Sequence, residues 1–562
     1  MSQFYEALSA ERKDLQSAGN LPDWFSTAGW AMFKERYLYG VMNPREHYRR
    51  IARTLARHMP DPVYWEAEFF EMMWDGDLSL STPALGNTGT DRGLVVACAG
   101  NYIGDSVDEF FKARHETAML SKYGHGTSSY LGDIRPRGAK ISTGGRANGL
   151  LTEFIAHKAI ADEISQGGKR RGQWAGYVPM DHPDFWEVFH WVDQNPDGSN
   201  VGWNIYDRNR DALLGGDPEH AKRFSAINYL RCKLSKGYLF FPDKVNRASP
   251  EAYKRAGLEV KASNLCNEVS LASNEDYTFS CVLSALNLMN WDRIVAKDRI
   301  FKAHVLLDCL VSEYLELGAD LPGMAKIMRY TREFRSLGLG VLGYHSALQT
   351  RQMAFGSLQA HMWNIQVFKK IHDETLRASQ WLAQTLGEPL GMQGLGERNS
   401  HRTACMPTMS TAAIMGGFSE GVGPMPMNVF SQSLAGGEFF RINPVLLPIM
   451  QERGVYDDLT IKRMSANLGS VQGESWLDEE EKSVFRTFFE TNPYDILRQQ
   501  AARQKYICQG QSINVPFSQD ENPQIIADFH RDAILEEGCH GQYYLRTAAT
   551  PADNVKGCEA CQ

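Results

Sequence analysis

The sequence predicts a mixed α/β protein that begins with a small all-helical part. Apolar and aromatic residues recur at helical spacing through residues 1–75, which is typical of packed helices. Farther along, short apolar runs of strand length at 94–99 and 279–284 are separated by helical patterns. The chain has 562 residues, 43% of them hydrophobic and 22% charged, which is sufficient for a large core and more than one structural unit.

The charge and the N-terminal sequence argue against several functional classes. The formal net charge of −8 does not suit a general binder of nucleic acid or of membrane surfaces. The first residues lack the basic-then-apolar order of a secretory signal, and no apolar run is long enough to span a bilayer. We therefore expect a cytoplasmic protein that binds neither DNA nor a membrane.

Ten cysteines in a chain of this length are too sparse for a disulfide-stapled secreted fold. In a reducing compartment each one is a buried hydrophobe, a ligand or a redox group, and the first is the commonest. Three of them, Cys98, Cys266 and Cys281, lie on short strand-like runs. These three are the candidates for chemistry.

The polar tail 546–562 ends in a Cys-x-x-Cys pair, Cys558 and Cys561. Together with Cys539 and His540 this pair could complete a structural zinc site, which needs four ligands. A terminal dithiol on a flexible arm also suits thiol–disulfide exchange with a buried site. The residues alone leave both interpretations open.

The stretch 263–269 places an amide, a thiol and a carboxylate at alternate positions, Asn264, Cys266 and Glu268. In an extended backbone these side chains would point to the same face and share one volume. A carboxylate can accept a proton, an amide can hold a hydroxyl, and a sulfur can be a nucleophile, a ligand or a radical. For the triplet alone, an ordinary strand with a buried cysteine is the simpler interpretation.

Three other segments have features of helix starts or of anion sites. Asp105 and Ser106 form an N-cap pair before a predicted helix, and the loop 165–172 combines glycines with three cations. The segment 405–412 reads as a strand-to-helix junction with hydroxyls at the helix start. Plain helix caps and a solvated loop are the alternatives for these segments.

The motifs taken together resemble the large, catalytic subunit of class I ribonucleotide reductase. The resemblance extends from about Leu78 to the C-terminus and depends on several motifs that occur in the family's order. They are Ser81-Thr-Pro-Ala-Leu, Asn264-x-Cys266-x-Glu268, Ser280-Cys281-x-Leu-Ser, Pro407-Thr-Met-Ser-Thr, Leu434-Ala-Gly-Gly-Glu-Phe, Arg503-Gln-Lys, Tyr543-Tyr544 and the terminal cysteine pair.

The resemblance implies a ten-stranded α/β barrel with a central finger loop. It divides the chain into a helical N-terminal domain at 1–75, a barrel at 76–540 and a flexible redox-active tail at 541–562. The chain would reduce ribonucleoside diphosphates to 2′-deoxyribonucleoside diphosphates, with no cofactor or metal of its own. It would receive its radical from a small subunit and its electrons from thioredoxin or glutaredoxin.

Each site residue then has an implied role. Cys266 would be the thiyl radical that abstracts hydrogen from the ribose, Glu268 the base, and Asn264 the partner of the sugar hydroxyls. Cys98 and Cys281 would supply two electrons and close a disulfide. Tyr543 and Tyr544 would pass the oxidising equivalent to Cys266, and Cys558 and Cys561 would reduce the disulfide again. The implied substrate-binding residues are Thr82, Ala97, Gly124, Pro407, Thr408, Met409, Ser410 and Thr411.

The resemblance also implies an allosteric specificity site for dNTP or ATP at a homodimer interface. Its residues would be Asp105, Ser106, Arg135, Gln166 and Arg170. Four substitutions make the binding details less certain than in the family. Ala97 stands where the family usually has Ser, and Met409 lies inside the phosphate turn. Phe418 stands where the family usually has a polar residue, and His125 lies in a loop that is usually all glycine. The short N-terminus predicts that the ATP-cone domain is missing and, with it, a dATP off-switch of that kind.

Two rival functions remain. An adenosylcobalamin-dependent reductase on the same barrel would need no tyrosine pair, so Tyr543 and Tyr544 argue against it. A non-catalytic nucleotide-binding subunit would be expected to lose some redox cysteines, whereas this chain keeps all five.

Overall fold

The computed structural model describes residues 2–164, 172–196, 198, 200–434 and 437–547. Within these residues the protein is a mixed α/β structure, as the sequence predicts. No described helix has the length and hydropathy that crossing a membrane requires.

Four helices form the N-terminal part, and their starts follow from the sequence. The side chains of Ser26, Asn43 and Asp61 each accept a hydrogen bond from a backbone N–H of the first helical turn. Behind these caps, Phe33 and Ile51 are completely buried. The helices are α1 (Ser2–Ser17), α2 (Thr27–Arg36), α3 (Pro44–Ala56) and α4 (Pro62–Trp74).

Thirteen strands follow within the described residues. They are β1 (Leu78–Leu80), β2 (Cys98–Tyr102), β3 (Gly126–Tyr130), β4 (Trp174–Pro179), β5 (Asn200–Asn204), β6 (Tyr238–Phe240), β7 (Phe279–Asn287), β8 (Leu337–Leu342), β9 (Val429–Leu434), β10 (Gly437–Ile442), β11 (Val515–Phe517), β12 (Gly541–Gln542) and β13 (Leu545–Thr547).

Nine of these strands form one mixed sheet in the order β1-β7-β2-β3-β4-β5-β6-β12, with β8 beside β7. Strands β2 to β6 run parallel to one another, whereas β7 is antiparallel to β2 and parallel to β8. The resemblance implies ten strands. Single bridges from Leu339 to Thr403 and from Cys405 to Gln511 extend this nine-stranded sheet.

Helices cover the sheet, and the longest of them are amphipathic or mostly buried. The remaining helices are α5 (Thr82–Asn87), α6 (Val107–Lys122), α7 (Leu150–Glu163), α8 (Phe185–Gln194), α9 (Asp207–Leu214), α10 (Pro218–Leu234), α11 (Pro242–Arg247), α12 (Glu251–Ala256), α13 (Trp291–Ala296), α14 (Arg299–Gly318), α15 (Ala325–Phe334), α16 (Tyr344–Thr350), α17 (Leu358–Leu386), α18 (Met409–Ile414), α19 (Leu446–Glu452), α20 (Asp458–Ala466), α21 (Glu479–Val484), α22 (Pro493–Gln504) and α23 (Pro523–Leu535). Helix α14 is buried on most faces because it packs against α3, α4, α17, β7 and β8.

Between α12 and β7 the chain enters the interior without regular secondary structure. We call residues 258–278 the finger loop; its residues 262–273 are all buried. Buried irregular backbone must find its hydrogen bonds in side chains and turns. The backbone of the finger loop therefore needs the loop's polar side chains as hydrogen-bond partners. These polar residues form part of the candidate site.

Candidate active site

Cys98 and Cys281 lie opposite each other on neighbouring strands. Cys98 begins β2, Cys281 is in β7, and the antiparallel register pairs the two residues directly. Directly opposed residues have their Cβ atoms about 4.5 to 5.5 Å apart, close to the spacing that a disulfide needs. Both are buried cysteines, and neither is in a disulfide in the described part of the chain. The sheet therefore holds a dithiol that can oxidise without moving its backbone far.

The finger loop brings Cys266 to the same cluster, but not as an extended strand. Residues 265–267 form a turn, and Asn267 has a left-handed backbone with φ of 65°. The expectation that Asn264, Cys266 and Glu268 share one face of a strand is therefore wrong. Cys266 is nevertheless fully buried in the same hydrophobic cluster as Cys98 and Cys281.

The amide of Asn264 joins these elements. Its oxygen accepts hydrogen bonds from the backbone N–H groups of Glu268 and Val269, at 3.0 Å each, and so holds the turn. Its Nδ2 donates to Glu268 Oε1 at 2.9 Å and to Cys98 Sγ at 3.4 Å. One side chain thus connects the finger loop, the carboxylate and the dithiol.

Burial keeps the Cys281 sulfur protonated. Burial is the main cause that raises the pKa of the Cys281 thiol well above its usual value, and Cys98, Glu268 and Cys508 raise it further. Gln509 opposes this shift, since its Nε2 donates to Cys281 Sγ at 3.4 Å. At neutral pH, Cys281 is therefore a thiol that can give up a proton together with its electrons.

Ser512 and Gln509 also belong to the site, although no sequence motif predicted a role for them. The Ser512 hydroxyl contacts Glu268 Oε2 at 3.1 Å and the carbonyl oxygen of Cys266. Gln509 also donates to the carbonyl of Leu337 in β8, so it fixes the sulfur of Cys281 against that strand. Four successive polar or glycine residues at 509–512, just before a buried strand, are the sequence signal that could have identified them.

A cleft opens beside the dithiol, between β7 and the start of α18. Most of the predicted substrate-binding residues line it, namely Thr82, Ala97, Pro407, Thr408, Ser410 and Thr411, together with Cys98. The residues that line this cleft do not include Gly124 or Met409. The Thr408 hydroxyl accepts from the backbone N–H of Gly421 at 2.8 Å, and the Tyr37 and Thr82 hydroxyls are 3.3 Å apart. The hydroxyl groups and the backbone groups that line this cleft can form hydrogen bonds with a phosphate group.

Tyr543 and Tyr544 belong to a cluster of three tyrosine rings. Their ring centroids are 3.8 Å apart, and the ring of Tyr238 lies 4.9 Å from that of Tyr543 and 5.6 Å from that of Tyr544. All three are buried in the hydrophobic cluster that contains Cys266. Arg231 donates to the carbonyl of Tyr543 at 2.9 Å, which fixes the backbone of the pair.

The predicted effector residues are only partly described. Arg135 Nε pairs with Asp105 Oδ2 at 2.7 Å, and both side chains are partly exposed. Ser106 is the N-cap of α6, since its side chain accepts from Glu109 N at 3.2 Å. Gln166 and Arg170 lie outside the described residues, as do Cys558 and Cys561 of the tail.

One group of side chains in the described part of the chain has the spacing of a metal site. The ligand atoms of His58, Glu313 and Glu316 lie within 4.8 Å of one another. Arg57 Nη2 already pairs with both glutamates, at 2.6 Å each. The guanidinium supplies the positive charge there, and the cluster joins α3 to α14.

Two family models match the chain over most of its length. The model described as "Ribonucleotide reductase, all-alpha domain" matches residues 23–93, and the one described as "Ribonucleotide reductase, barrel domain" matches residues 96–205, 219–395 and 390–545. These matches confirm the predicted helical N-terminal part and the barrel type of the sheet.

Similar proteins come from viruses, archaea and bacteria. A putative ribonucleoside-diphosphate reductase large subunit of Frog virus 3 is 30% identical over 87% of this chain and 90% of its own length. A vitamin B12-dependent ribonucleoside-diphosphate reductase of Thermoplasma acidophilum is 28% identical over 83% of this chain and 63% of its own. The solved structure of the Actinobacillus ureae class Id ribonucleotide reductase alpha subunit superposes with a TM-score of 0.87 and 33% identity, covering 94% and 98% of the two chains.

Proposed function

Because this chain belongs to the ribonucleotide reductase large-subunit family, we propose that it is the catalytic subunit of a ribonucleoside-diphosphate reductase. The reaction replaces the 2′-hydroxyl of a ribonucleoside diphosphate with hydrogen and makes DNA precursors. One observation carries the proposal: Asn264 joins the Cys98–Cys281 dithiol and the Glu268 carboxylate within the cluster that buries Cys266.

The chemistry follows from these groups. A Cys266 thiyl radical takes hydrogen from the ribose 3′ carbon, and Glu268 takes the proton of the 3′-hydroxyl. Cys98 gives a proton to the departing 2′-hydroxyl, which leaves as water. Cys98 and Cys281 then supply two electrons and form a disulfide, after which the hydrogen returns from Cys266 to the 3′ carbon. The complete burial of Cys266 supports this sequence because it keeps water from the radical.

The cleft beside Cys98 would hold the substrate diphosphate. Thr82, Thr408, Ser410 and Thr411 line it, and this lining supports the assignment. A diphosphate bound there would place the ribose toward Cys98. Ala97 lines the cleft with a methyl group, so it cannot supply the hydrogen bond that Ser would give at that position.

The oxidising equivalent would come from a radical-bearing small subunit and pass through Tyr544 and Tyr543. The close contact of their rings, 3.8 Å between centroids, supports this route. The B12-dependent relative motivates the alternative, in which adenosylcobalamin generates the radical and no small subunit is needed. The two routes differ in what must be added to the chain for turnover.

We also propose the specificity site at Asp105, Ser106 and Arg135, with Gln166 and Arg170 relaying effector identity, and a homodimer. Val107 and Phe111 on α6 are 70% and 62% exposed, and this apolar face supports self-association beside the effector residues. The terminal Cys558 and Cys561 would reduce the Cys98–Cys281 disulfide with electrons from thioredoxin or glutaredoxin.

The decisive experiment is one anaerobic turnover of a ribonucleoside diphosphate by the pre-reduced chain, followed by mass spectrometry of its cysteines. In the Cys558→Ser/Cys561→Ser variant, whose tail cannot reduce the disulfide again, one disulfide between Cys98 and Cys281 should form for each deoxynucleotide made, while Cys405 and Cys508 stay reduced as internal controls. Parallel samples contain a candidate small subunit, adenosylcobalamin or neither. Product without that disulfide would contradict the proposed dithiol, and product with the cobalamin alone would establish the alternative.

A further inference from the structure

A cation lies on the face of Tyr544. The guanidinium carbon of Arg546 is 4.4 Å from the centre of the Tyr544 ring, and Arg546 is only 8% exposed. Strand β13 fixes this residue, because Arg546 pairs with Pro516 of β11 and the carbonyl of Tyr544 accepts from Val515 N at 2.9 Å. The contact between Arg546 and Tyr544 is therefore fixed by the strand pairing and is not a chance contact of two surface side chains.

A cation over a phenol ring changes the energy of removing an electron from that ring. The attraction between the cation and the ring arises from the electron-rich face of the ring, and desolvation strengthens it. Oxidation takes an electron from that face, so the attraction to the cation is weaker in the neutral radical. Tyr544 beside Arg546 is thus harder to oxidise than the same tyrosine without the guanidinium.

Other charged and titratable groups lie around this pair. The rings of Tyr238 and Tyr543 pack on Tyr544. Burial raises the pKa of the Glu420 carboxyl to about 6, and the charges of Arg546 and Arg441 act against that rise. At neutral pH the Glu420 carboxylate is therefore the counter-charge that partly offsets Arg546.

We propose that Arg546 is a positioning residue for radical transfer, one that keeps the oxidising equivalent from resting on Tyr544. The inference rests on the proposed function. Tyr544 loses one electron to a one-electron oxidant of the small subunit and its phenolic proton to solvent at the subunit boundary. It then takes a hydrogen atom from Tyr543, which takes one from Cys266, and the steps reverse after turnover. A destabilised Tyr544 radical passes its oxidising equivalent inward before it can be quenched at the subunit boundary.

The electrostatic part can be tested in the chain alone, without turnover. Replacing Tyr544 with 3-nitrotyrosine provides a phenol that ionises near neutral pH and is read by absorbance. In this background Arg546→Gln should raise the pKa of the nitrophenol by about one unit, a tenfold change in its ionisation constant. The matched control is Arg208→Gln, which removes a guanidinium 4.1 Å above the Tyr206 ring and should change nothing at residue 544.

The redox part needs the complex with the small subunit. With a fluorotyrosine at 544 as a paramagnetic reporter, Arg546→Gln should increase the share of radical on that residue by about tenfold, and Arg546→Lys by less. An unchanged nitrophenol pKa, or an unchanged radical share in a complex that turns over, would overturn the inference. If no complex turns over with any substrate, the proposed function fails instead, and the nitrophenol titration alone decides the electrostatic claim.

Discussion

Two regions of the molecule use similar polar groups but differ in how deeply they bury them. We call the first the centre; it contains Asn264, Glu268 and the three cysteines Cys98, Cys266 and Cys281. We call the second the effector corner; it contains Asp105, Ser106 and Arg135. At the centre, Asn264 and Glu268 are fully buried, and the Asn264 side chain has hydrogen bonds with four other residues. At the corner, the Asp105 and Arg135 side chains keep 28% and 39% of their surface exposed and pair mainly with each other. The buried network at the centre holds its groups in one geometry, whereas the exposed ion pair at the corner can exchange its hydrogen-bond partners.

This difference follows from the cost of exposing or burying polar groups. A buried amide or carboxylate that loses its partner pays the full desolvation cost, so the centre is stable only in one arrangement. An exposed ion pair contributes little and can be replaced by water or by a nucleotide phosphate. Radical chemistry requires the fixed, buried arrangement, whereas reversible effector binding requires an exposed pair that can exchange its partners.

The largest effect is expected at the centre, from Cys266→Ser. The oxygen–hydrogen bond of serine is too strong to exchange hydrogen with a sugar, so turnover should fall by more than about a thousandfold. Substrate binding, measured by equilibrium dialysis, should change little because the side chain keeps its size. Cys232→Ser on α10 is the matched control. Turnover within tenfold of the parent would remove Cys266 from the mechanism.

Buried histidines should make the free energy of unfolding of the protein fall in acid. Burial lowers the pKa of His304 to about 4, from an ordinary value near 6.5, so the folded protein binds its proton less readily than the unfolded chain. The contribution of His304 to the free energy of unfolding is therefore complete above pH 6.5 and is lost as the pH falls toward 4. It corresponds to about 3 kcal/mol for this one residue. Six other buried histidines have lowered pKa values: His47, His157, His345, His401, His530 and His540.

Urea unfolding between pH 5 and 7.5 measures this effect. The free energy of unfolding should drop steeply below pH 6, and His304→Gln should make the drop shallower. His220→Gln is the comparison, because His220 lies at the start of α10 and is only partly buried. A flat profile down to pH 5 would show that the interior does not oppose histidine protonation.

A smaller effect is expected from Ser512→Ala. This change removes one contact of Glu268 and the contact with the carbonyl of Cys266, while Asn264 still holds the carboxylate. Loss of one hydrogen bond to a charged group should lower kcat by about 10- to 100-fold, with little change in KM. Ser249→Ala at the end of α11 serves as the control. An equal loss in both variants would point to general destabilisation rather than to Glu268.

The smallest effect is expected at the effector corner, from Asp105→Asn. Removing one charge of an exposed pair should change the free energy of unfolding by less than about 1 kcal/mol. If Asp105 contacts the effector, the dissociation constant of a dNTP should rise by about 3- to 10-fold, measured by calorimetry. Asp193→Asn, in the exposed Lys233–Asp193 pair, is the control. Unchanged dNTP affinity would separate this corner from the specificity site.

Local patterns predicted the helices well because caps and periodicity act within a few residues. Asn43 and Pro44 at the start of α3 are an example, since both the cap and the fixed φ are local properties. The 94–99 run was predicted less accurately, because the strand begins only at Cys98, where pairing with β7 and β3 becomes possible. Strand ends depend on partners that are distant in the chain.

For the site, the residue types could be predicted, but their arrangement could not. The motifs identified Asn264, Cys266 and Glu268, yet an alternating pattern suggested a strand where the chain forms a turn around Asn267. Ser512 and Gln509 received no role, because Cys266, Glu268 and Cys281, which they contact in the site, lie more than two hundred residues away. No local pattern reports such a contact.

By itself the sequence determined the family, the mixed α/β class and the set of groups able to do the chemistry, because each depends on residue identity and order. Tertiary structure alone decided that Cys98 faces Cys281, that one amide connects the finger loop to that dithiol, and that Arg546 lies on Tyr544. These are contacts between segments far apart in the chain, and they form only when burial of the apolar surface forces those segments into one volume.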